Sequence, residues 1–529
     1  MFTACSQNRG AARSYSRHLN LALKLPIKAE QGRVVRNAAG EVRCQVRSPA
    51  ASSASSKEGS FMPKISWSFL LILAMSSVFP MLGCSDSKVA PDPDVYQVVT
   101  VSDLHFNPLY DPSLYSQLVA ADANQWAGIF QTSKVTLPTG GGTDTNYPLL
   151  VLTLADMKQR MGASPVVLFT GDMLGHYIPE NFSCAYNNVK LPPAKCPALP
   201  STAVPAMEQF IDKTFSFVAA QIRAAVGDAP VIYVPGNIDT YQAAGMGPDS
   251  NFLTNNAGTV YNQFLNGIVN QQTFWSTFTS DGYYSAEPLG PQLRVIGLNS
   301  NSFVKTAPSS TEAATELGWL NSQLASAQST GQKVWILMHV PPGANSQGMA
   351  GDTSGQLDDA TVSMNWDPDI QTTFMKTLEK YSGEVTLMLA GHTHMDEYRL
   401  LPSGDVLEQL PGISPCFGNN PAYKVLTATK DTFAPIDYQS FSYDLSAVPM
   451  PTQFQSLYQF STTYGSLGTL DSTLQQLYPQ LLTGGSQRNN YTYYYASGTT
   501  AKIPGANTPW NPINNGNWPI FSCAIGEVD

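Results

Sequence analysis

The sequence contains six histidines, and five of them, His105, His176, His339, His392 and His394, each follow an apolar, β-prone run within a few residues. The sixth, His18, lies in an N-terminal leader. A neutral imidazole binds divalent metals and exchanges its proton near neutral pH, so histidines gathered at strand ends point to metal or proton chemistry. Their neighbours sharpen that reading. Gly391-His392-Thr393-His394 closes the apolar run 385–390 and places two imidazoles at one strand-to-loop junction. Asp103-Leu104-His105 leaves the run 95–101 and offers a hard oxygen beside a ring nitrogen. Gly171-Asp172 ends the run 164–170, Gly236-Asn237 ends 230–234, and His339-Val340-Pro341-Pro342-Gly343 ends 333–338.

Taken singly, a strand-end Asp or His is most often a cap or a satisfied polar group. Together, Asp103, His105, Asp172, Asn237, His339, His392 and His394 form a nitrogen and oxygen donor set with no thiolate. Seven such donors are too many for one tetrahedral zinc and suit two adjacent divalent ions sharing one carboxylate. Two dications against two Asp carboxylates and one hydroxide leave a site of roughly +1, matched to a phosphate ester.

The elements that must position these groups alternate between strand and helix. Strands are predicted at 95–101, 164–170, 230–234, 283–285, 293–298, 333–338 and 385–390, and helices at 149–159, 206–226, 312–327 and 371–381. This is the rhythm of an α/β fold that gathers its ligands at the carboxyl ends of parallel strands. The stretch 111–147 is polar and Gly-rich and reads as loop with short helical pieces. Beyond about residue 430 there are no further histidines, tyrosines become frequent, and helices are predicted at 453–460 and 470–482.

The motifs Asp-x-His, Gly-Asp, Gly-Asn-x-Asp, His-Val-Pro-Pro-Gly and Gly-His-Thr-His resemble those of the calcineurin-like metallophosphoesterase superfamily. More narrowly, the chain is similar to the acid sphingomyelinase-like phosphodiesterases. That likeness rests on His176 four residues after Asp172, Gly282-Tyr283-Tyr284-Ser285, Leu298-Asn299-Ser300-Asn301, the Trp319-Leu320 helix, Ser414-Pro415 with Asn419-Asn420-Pro421, and Cys523-Ala524-Ile525. It spans residues 95–529. The resemblance implies a four-layer α/β/β/α sandwich over 95–430 with a smaller, mainly helical C-terminal subdomain over 431–529. It also implies two metal ions, with zinc the usual choice and manganese or iron as alternatives. Asp103, His105, Asp172 and His394 would hold one ion, and Asp172, Asn237, His339 and His392 the other. His176 matches a histidine that protonates the leaving group.

One position departs from the family pattern: Ile238 stands where a histidine is usual. An isoleucine neither donates a proton nor hydrogen-bonds a phosphoryl oxygen, so proton supply is expected to rest on His176 or water. The lipid-cleaving relatives carry an N-terminal saposin domain, and no segment before residue 95 matches one. The expected substrate is therefore a small phosphodiester, nucleotide or phosphocholine-type group. The C-terminal aromatics read first as core packing, with a stacking surface for that group as the alternative. A periplasmic phosphomonoesterase and a metal-binding surface lipoprotein that has lost activity are the competing readings.

Composition sets the compartment and partners. The formal net charge is −10, but residues 1–61 hold ten Lys/Arg against three Asp/Glu and Lys64 adds one more positive charge, so the charge from residue 85 onward is −18. Such an acidic body offers no basic footprint for nucleic acid, and a monomer is expected. Residues 62–84 pair Lys64 with the apolar run 69–75 and end in Met81-Leu82-Gly83-Cys84, a lipobox-like signal in which Cys84 would be lipidated. The reading is an exported periplasmic or surface lipoprotein, or a secreted protein. Residues 85–94 would form a tether, anchored to a membrane through lipid only. Residues 1–61 read as an overextended start or a leader. Of the remaining cysteines, Cys184 with Cys196 and Cys416 with Cys523 are the favoured disulfides.

Overall fold

The computed structural model describes residues 94–526 except 163–165, 191, 243–244, 246, 266, 305–309, 347–362, 500–512 and 515–516. Outside that range it describes a two-residue ribbon, Val35–Arg36 with Val42–Arg43. The signal-type segment, Cys84 and the tether up to residue 93 lie outside the described residues. Among the described residues no helix is long and apolar enough to cross a membrane.

Among the described residues twelve strands follow the leader: β1 Val95–Val101, β2 Val166–Phe169, β3 Val231–Tyr233, β4 Tyr284–Ala286, β5 Leu293–Gly297, β6 Lys333–Leu337, β7 Val385–Ala390, β8 Glu397–Leu400, β9 Val406–Gln409, β10 Ala422–Thr429, β11 Pro435–Ser442 and β12 Gln455–Gln459. They form two six-stranded mixed sheets, ordered β12-β11-β10-β1-β2-β3 and β8-β9-β7-β6-β5-β4. Strands β1, β2 and β3 are parallel to one another, as are β5, β6 and β7. The sheets pack face to face. Trp335 Nε1 of β6 donates to Phe433 O at 2.8 Å, and Tyr284 Oη of β4 donates to Tyr233 O of β3 at 2.7 Å.

Alternation along the strands shows why both faces of the second sheet are covered. In β6, Trp335 and Leu337 point into the core between the sheets, while Val334 and Ile336 join the separate outer cluster. Helices α3 Ser310–Thr330 and α4 Pro368–Lys380 cover that outer face with Leu317, Leu320, Leu324, Phe374 and Leu378. Helices α1 Tyr147–Met161 and α2 Val204–Val226 flank the first sheet, α2 burying Phe210, Phe215, Val218 and Ile222. The result is the α/β sandwich the motifs implied. Helices α5 Leu470–Thr483, α6 Ser486–Tyr495 and α7 Trp518–Gly526 complete the chain.

Two expectations need correction, and a third is met. Residues 453–460 do not form a helix: β12 runs from Gln455 and pairs antiparallel with β11, carrying the first sheet past residue 430. Phe454, Tyr458 and Phe460 are buried at even spacing, a period of two that overlaps the helical spacing of Phe454, Leu457 and Tyr458. The C-terminal aromatics are mostly core, as their favoured reading held: Tyr438, Phe441, Tyr443, Tyr458, Phe460, Tyr491 and Tyr495 are all buried. Finally, Cys184 and Cys196 are bridged, but Cys416 is a buried thiol and does not pair with Cys523. Its sulfur lies 3.8 Å from His394 Nδ1, on the loop after β9, whereas Cys523 lies on α7.

Glu316 of α3 is fully buried and accepts the Asn299 N–H at 2.7 Å, fixing the Asn299-Ser300-Asn301 turn after β5. Burial, against the hydrogen bonds from Asn299 and Ser302, pushes its carboxyl up to about 8. The folded state therefore holds a proton that the unfolded chain gives up near an ordinary glutamate pKa, so this group's stabilisation is lost as pH rises through about 8. Glu316→Gln keeps the acceptor and removes the titration. Melting curves between pH 5 and pH 8 should show a shallower decline for the variant, with a higher Tm than the parent at the alkaline end.

Candidate metal centre

The seven groups come together where two sets of parallel strands end. Asp103 and His105 follow β1, Asp172 follows β2, Asn237 follows β3, His339 follows β6, and His392 and His394 follow β7. Asp103, His105, Asp172, His392 and His394 adopt φ of 50°, 45°, 58°, 76° and 62°. These are left-handed conformations that cost non-glycine residues energy and persist only where surrounding bonds impose them. Those bonds are present. Asp103 N–H donates to Gly171 O at 3.0 Å, His105 N–H to Asp172 O at 2.9 Å, Gly391 N–H to His339 O at 3.0 Å and Gly412 N–H to His394 O at 3.1 Å. Two glycines leave necessary space. A Cβ on Gly236 would collide with Asp172 Oδ1, and one on Gly391 with Ser102 Oγ and Asp103 Oδ2.

The ring nitrogens are assigned by their partners. His105 Nδ1 faces Leu174 O at 3.1 Å, His339 Nδ1 faces Thr170 O at 2.7 Å and His394 Nδ1 faces Ser414 O at 2.9 Å. Each carbonyl holds the proton on Nδ1 and leaves Nε2 as the ligand atom. His105 Nε2 lies 3.0 Å from His394 Nε2 and 3.3 Å from Asp172 Oδ2, and Asp103 Oδ1 lies 3.3 Å from His394 Nε2. On the other side, Asp172 Oδ2 is 3.2 Å from His339 Nε2, and Asn237 Oδ1 is 2.8 Å from both His339 Nε2 and His392 Nδ1. Four ligands about 2.0–2.1 Å from one ion stand roughly 3.3 Å apart, so both donor groups fit a divalent cation and Asp172 is placed to serve both. In that arrangement His392 and His394 would serve different ions.

Charge in the site follows from these contacts. Burial would raise Asp172 and Asp103, but His339 and His105 hold Asp172 far below the carboxylate range, and His394 and His105 bring Asp103 to about 2. Burial brings His394 down to about 3 and His392 to about 4, so both stay neutral and free to act as ligands. His339 is pushed up to about 9, because Asp172 outweighs burial. With a metal ion bound, His339 would be neutral and would offer Nε2 as a ligand.

Behind Asp172 lies Asp239, fully buried. It accepts the backbone N–H groups of Asp172, Met173, Leu174 and Gly236 at 2.9–3.0 Å and the Tyr233 hydroxyl at 2.7 Å. It ties the two loops that deliver Asp172 and Asn237. Burial and the nearby Asp172 raise its carboxyl to about 6.

His176 stands beside the centre, its ring stacked on His105 with centroids 4.0 Å apart. Asp144 accepts from His176 through its backbone N–H at 2.8 Å and faces Nδ1 at 2.7 Å. His176 holds the Asp144 carboxyl below its usual range against the effect of burial. Sequence reasoning missed Asp144, which sits in the Gly-rich stretch that carries no periodic signal, and gave Asp239 no role although it lies in the Gly-Asn-x-Asp motif. Ile238 is buried; its N–H donates to Asp172 Oδ1 at 2.8 Å, and its side chain joins Leu174, Ile178 and Pro179 around a small cavity next to His176.

A family model described as calcineurin-like phosphoesterase matches residues 96–396. The chain is 24% identical over 446 residues to sphingomyelinase phosphodiesterase D of Dictyostelium discoideum, covering 77% of this chain and 90% of that protein. It is 23% identical over 289 residues to a sphingomyelin phosphodiesterase of Homo sapiens, covering 50% of this chain and 42% of that one. A cyclic GMP-AMP phosphodiesterase of Rattus norvegicus matches at 24% over 242 residues, 42% of this chain and 52% of the relative. The chain thus spans about half the length of several relatives it matches.

The glycine geometry gives a direct test of the shared carboxylate. Gly236→Ala should push Asp172 out of its bridging position, so that protein dialysed against zinc retains clearly less metal per chain than the parent, as read by atomic emission. Equal metal content in the two proteins would remove Asp172 from the bridge.

Proposed function

Because the chain belongs to the calcineurin-like phosphoesterase family, we propose that it hydrolyses phosphodiesters at a dinuclear centre, with His176 giving a proton to the leaving group. The observation that carries the reading is the Asp144–His176 pair stacked against His105, one of the metal ligands. Two divalent ions, which we assign as zinc, would lower the pKa of the attacking water and offset charge on the phosphoryl oxygens. The protein's own residues do the rest. Asp103 and Asp172 supply the anionic ligands, the carbonyls of Leu174, Thr170 and Ser414 aim the rings, and Asn237 contributes a neutral oxygen. Asp144 occupies Nδ1 of His176 and favours its protonated form, which leaves Nε2–H as the donor.

The substrate class is a diester of sphingomyelin or nucleotide type, since relatives named for both share the same bond cleavage. Ile238 adds apolar surface beside His176, in a cavity that Thr240 and Gln242 also line, and leaves this histidine without a second proton donor from that position. Export is part of the proposal, supported by the signal-type segment ending at Cys84 and by the Cys184–Cys196 bridge, which favours an oxidising compartment. The competing phosphomonoesterase and inactive-lipoprotein readings separate in one experiment. Purified protein should cleave bis(p-nitrophenyl) phosphate faster than p-nitrophenyl phosphate and lose activity to chelator, regaining it with Zn²⁺ or Mn²⁺. Activity absent from every ester with metal supplied would leave only the lipoprotein reading.

General-acid assistance contributes typically about 10²- to 10⁴-fold, and most where the leaving group is a poor one. His176→Ala should therefore lose about that much on an alkyl phosphodiester and much less on bis(p-nitrophenyl) phosphate. Ile238→His should speed the alkyl diester selectively. Equal response of both substrates in both variants would exclude proton donation from this side.

A further inference from the structure

A buried polar chain leads from the metal loop to the last helix. Thr393 sits between His392 and His394, both in left-handed backbone. Its hydroxyl accepts from Gln409 Nε2 at 3.1 Å. Gln409 ends β9, opposite Glu397 of β8 in antiparallel register and beside Ala390 of β7 in parallel register, so it stands next to the point where β7 turns into Gly391-His392. Its amide is fully engaged. Nε2 also donates to Glu397 Oε1 at 2.8 Å, and Oε1 accepts from Arg399 Nε at 2.6 Å. Arg399, fully buried, donates onward through Nη1 to the carbonyl of Ala524 at 3.0 Å, in the last turn of α7. That carbonyl is among those a helix leaves without an internal partner, and a guanidinium there meets the negative end of the helix dipole.

A buried charged network of this kind adds little to stability compared with apolar packing, because desolvation costs about as much as the pairing gains. Arg399 Nη2 even has no hydrogen-bond partner among the described residues. What the arrangement does supply is orientation. An Asn or Gln amide held at both ends has one setting, and it fixes the hydroxyl between two ligands whose backbone must stay strained. We propose that Gln409 and Arg399 are positioning residues for the His392–His394 loop, and that α7 belongs to the same device through Ala524. The inference takes the dinuclear centre of the proposed function as given.

The test uses the full chain and reads metal binding as well as turnover. Thr393→Val, Gln409→Leu, Arg399→Met and Arg399→Lys are compared with the parent by competition against a chromophoric chelator, by the visible spectrum of the Co²⁺-substituted protein, and by kcat and KM on bis(p-nitrophenyl) phosphate. Loss of an outer partner of a metal ligand costs typically about 10- to 100-fold in metal affinity or activity. Thr393→Val and Gln409→Leu should show a loss of that size in affinity or kcat, with KM nearly unchanged and the Co²⁺ bands shifted. Arg399→Lys should recover part of what Arg399→Met loses. A lowered Tm with affinity, Co²⁺ spectrum and kcat all as in the parent would overturn the proposal. Should Gln409→Leu fail to fold, Thr393→Val decides alone, since it keeps the side-chain shape. A parent protein that binds two ions yet cleaves no ester would refute the proposed activity and leave the metal-affinity comparison intact.

Discussion

The structure depends on one buried carboxylate. Asp172 sits where β2 ends, at the seam between the two sheets, within 3.3 Å of His105 from its own sheet and 3.2 Å of His339 from the other. Burying an anion is costly unless cations or hydrogen bonds meet it. Here the Ile238 N–H takes one oxygen and the ligand rings converge on the other. The sandwich has to bring the ends of β1, β2 and β3 against those of β6 and β7 for that balance to close. The position of Asp172 therefore fixes the relation of the sheets as much as the apolar core does.

Precision at that seam comes from backbone more than from side chains. Five ligands lie in left-handed conformations, and the strain is met by main-chain bonds that continue each ladder past its strand end, such as Phe106 N–H to Met173 O at 3.0 Å and Ser414 N–H to Asp103 O at 2.9 Å. Asp239 gathers four amides from two loops, and Ser300 accepts the amides of His339 and Val340 at 3.1 and 2.8 Å. The turn that holds Ser300 is held in turn by Glu316. A centre assembled this way is preorganised, and each support can be altered without touching a ligand.

The donor groups that gather at the seam were legible in the sequence because their signal is local: a polar donor at the end of an apolar run, five times over, using four of the five histidines outside the leader. Strands with clean apolar runs were legible for the same reason, and β1 and β7 match the predicted bounds. The strands from 397 to 459 were not. Arg399, Glu408, Gln409 and Lys424 are buried in them, and Lys424 Nζ pairs with Asp396 at 2.8 Å and Glu408 at 3.2 Å, so polar letters occupy positions that a pattern reader assigns to solvent. Asp144 was invisible because its only relation to His176 is tertiary, 32 residues apart through a Gly-rich loop. The carbonyls that set the ring tautomers have no letter at all. Counting cysteines gave a false pair, since an even number says nothing about which sulfurs face each other, and Cys416 faces His394.

Ile238 shows how a family pattern and a local structure divide the work. Its main-chain N–H still supports Asp172, as any residue at that position could, so the metal centre is untouched by the side chain. The side chain changes only what lies beside His176, adding an apolar wall where the usual residue would add a second ring able to donate. Since Asp144 already commits His176 Nδ1, the proton supply on this face narrows to one nitrogen. Under the proposed function, an apolar side chain here would favour a leaving group that buries carbon at departure over one that needs a hydrogen bond from position 238, because an unmet polar group against it costs more than a methylene gains. The substitution would then shift selectivity among diesters while leaving the candidate metal ligands, and the strain that holds them, as they are.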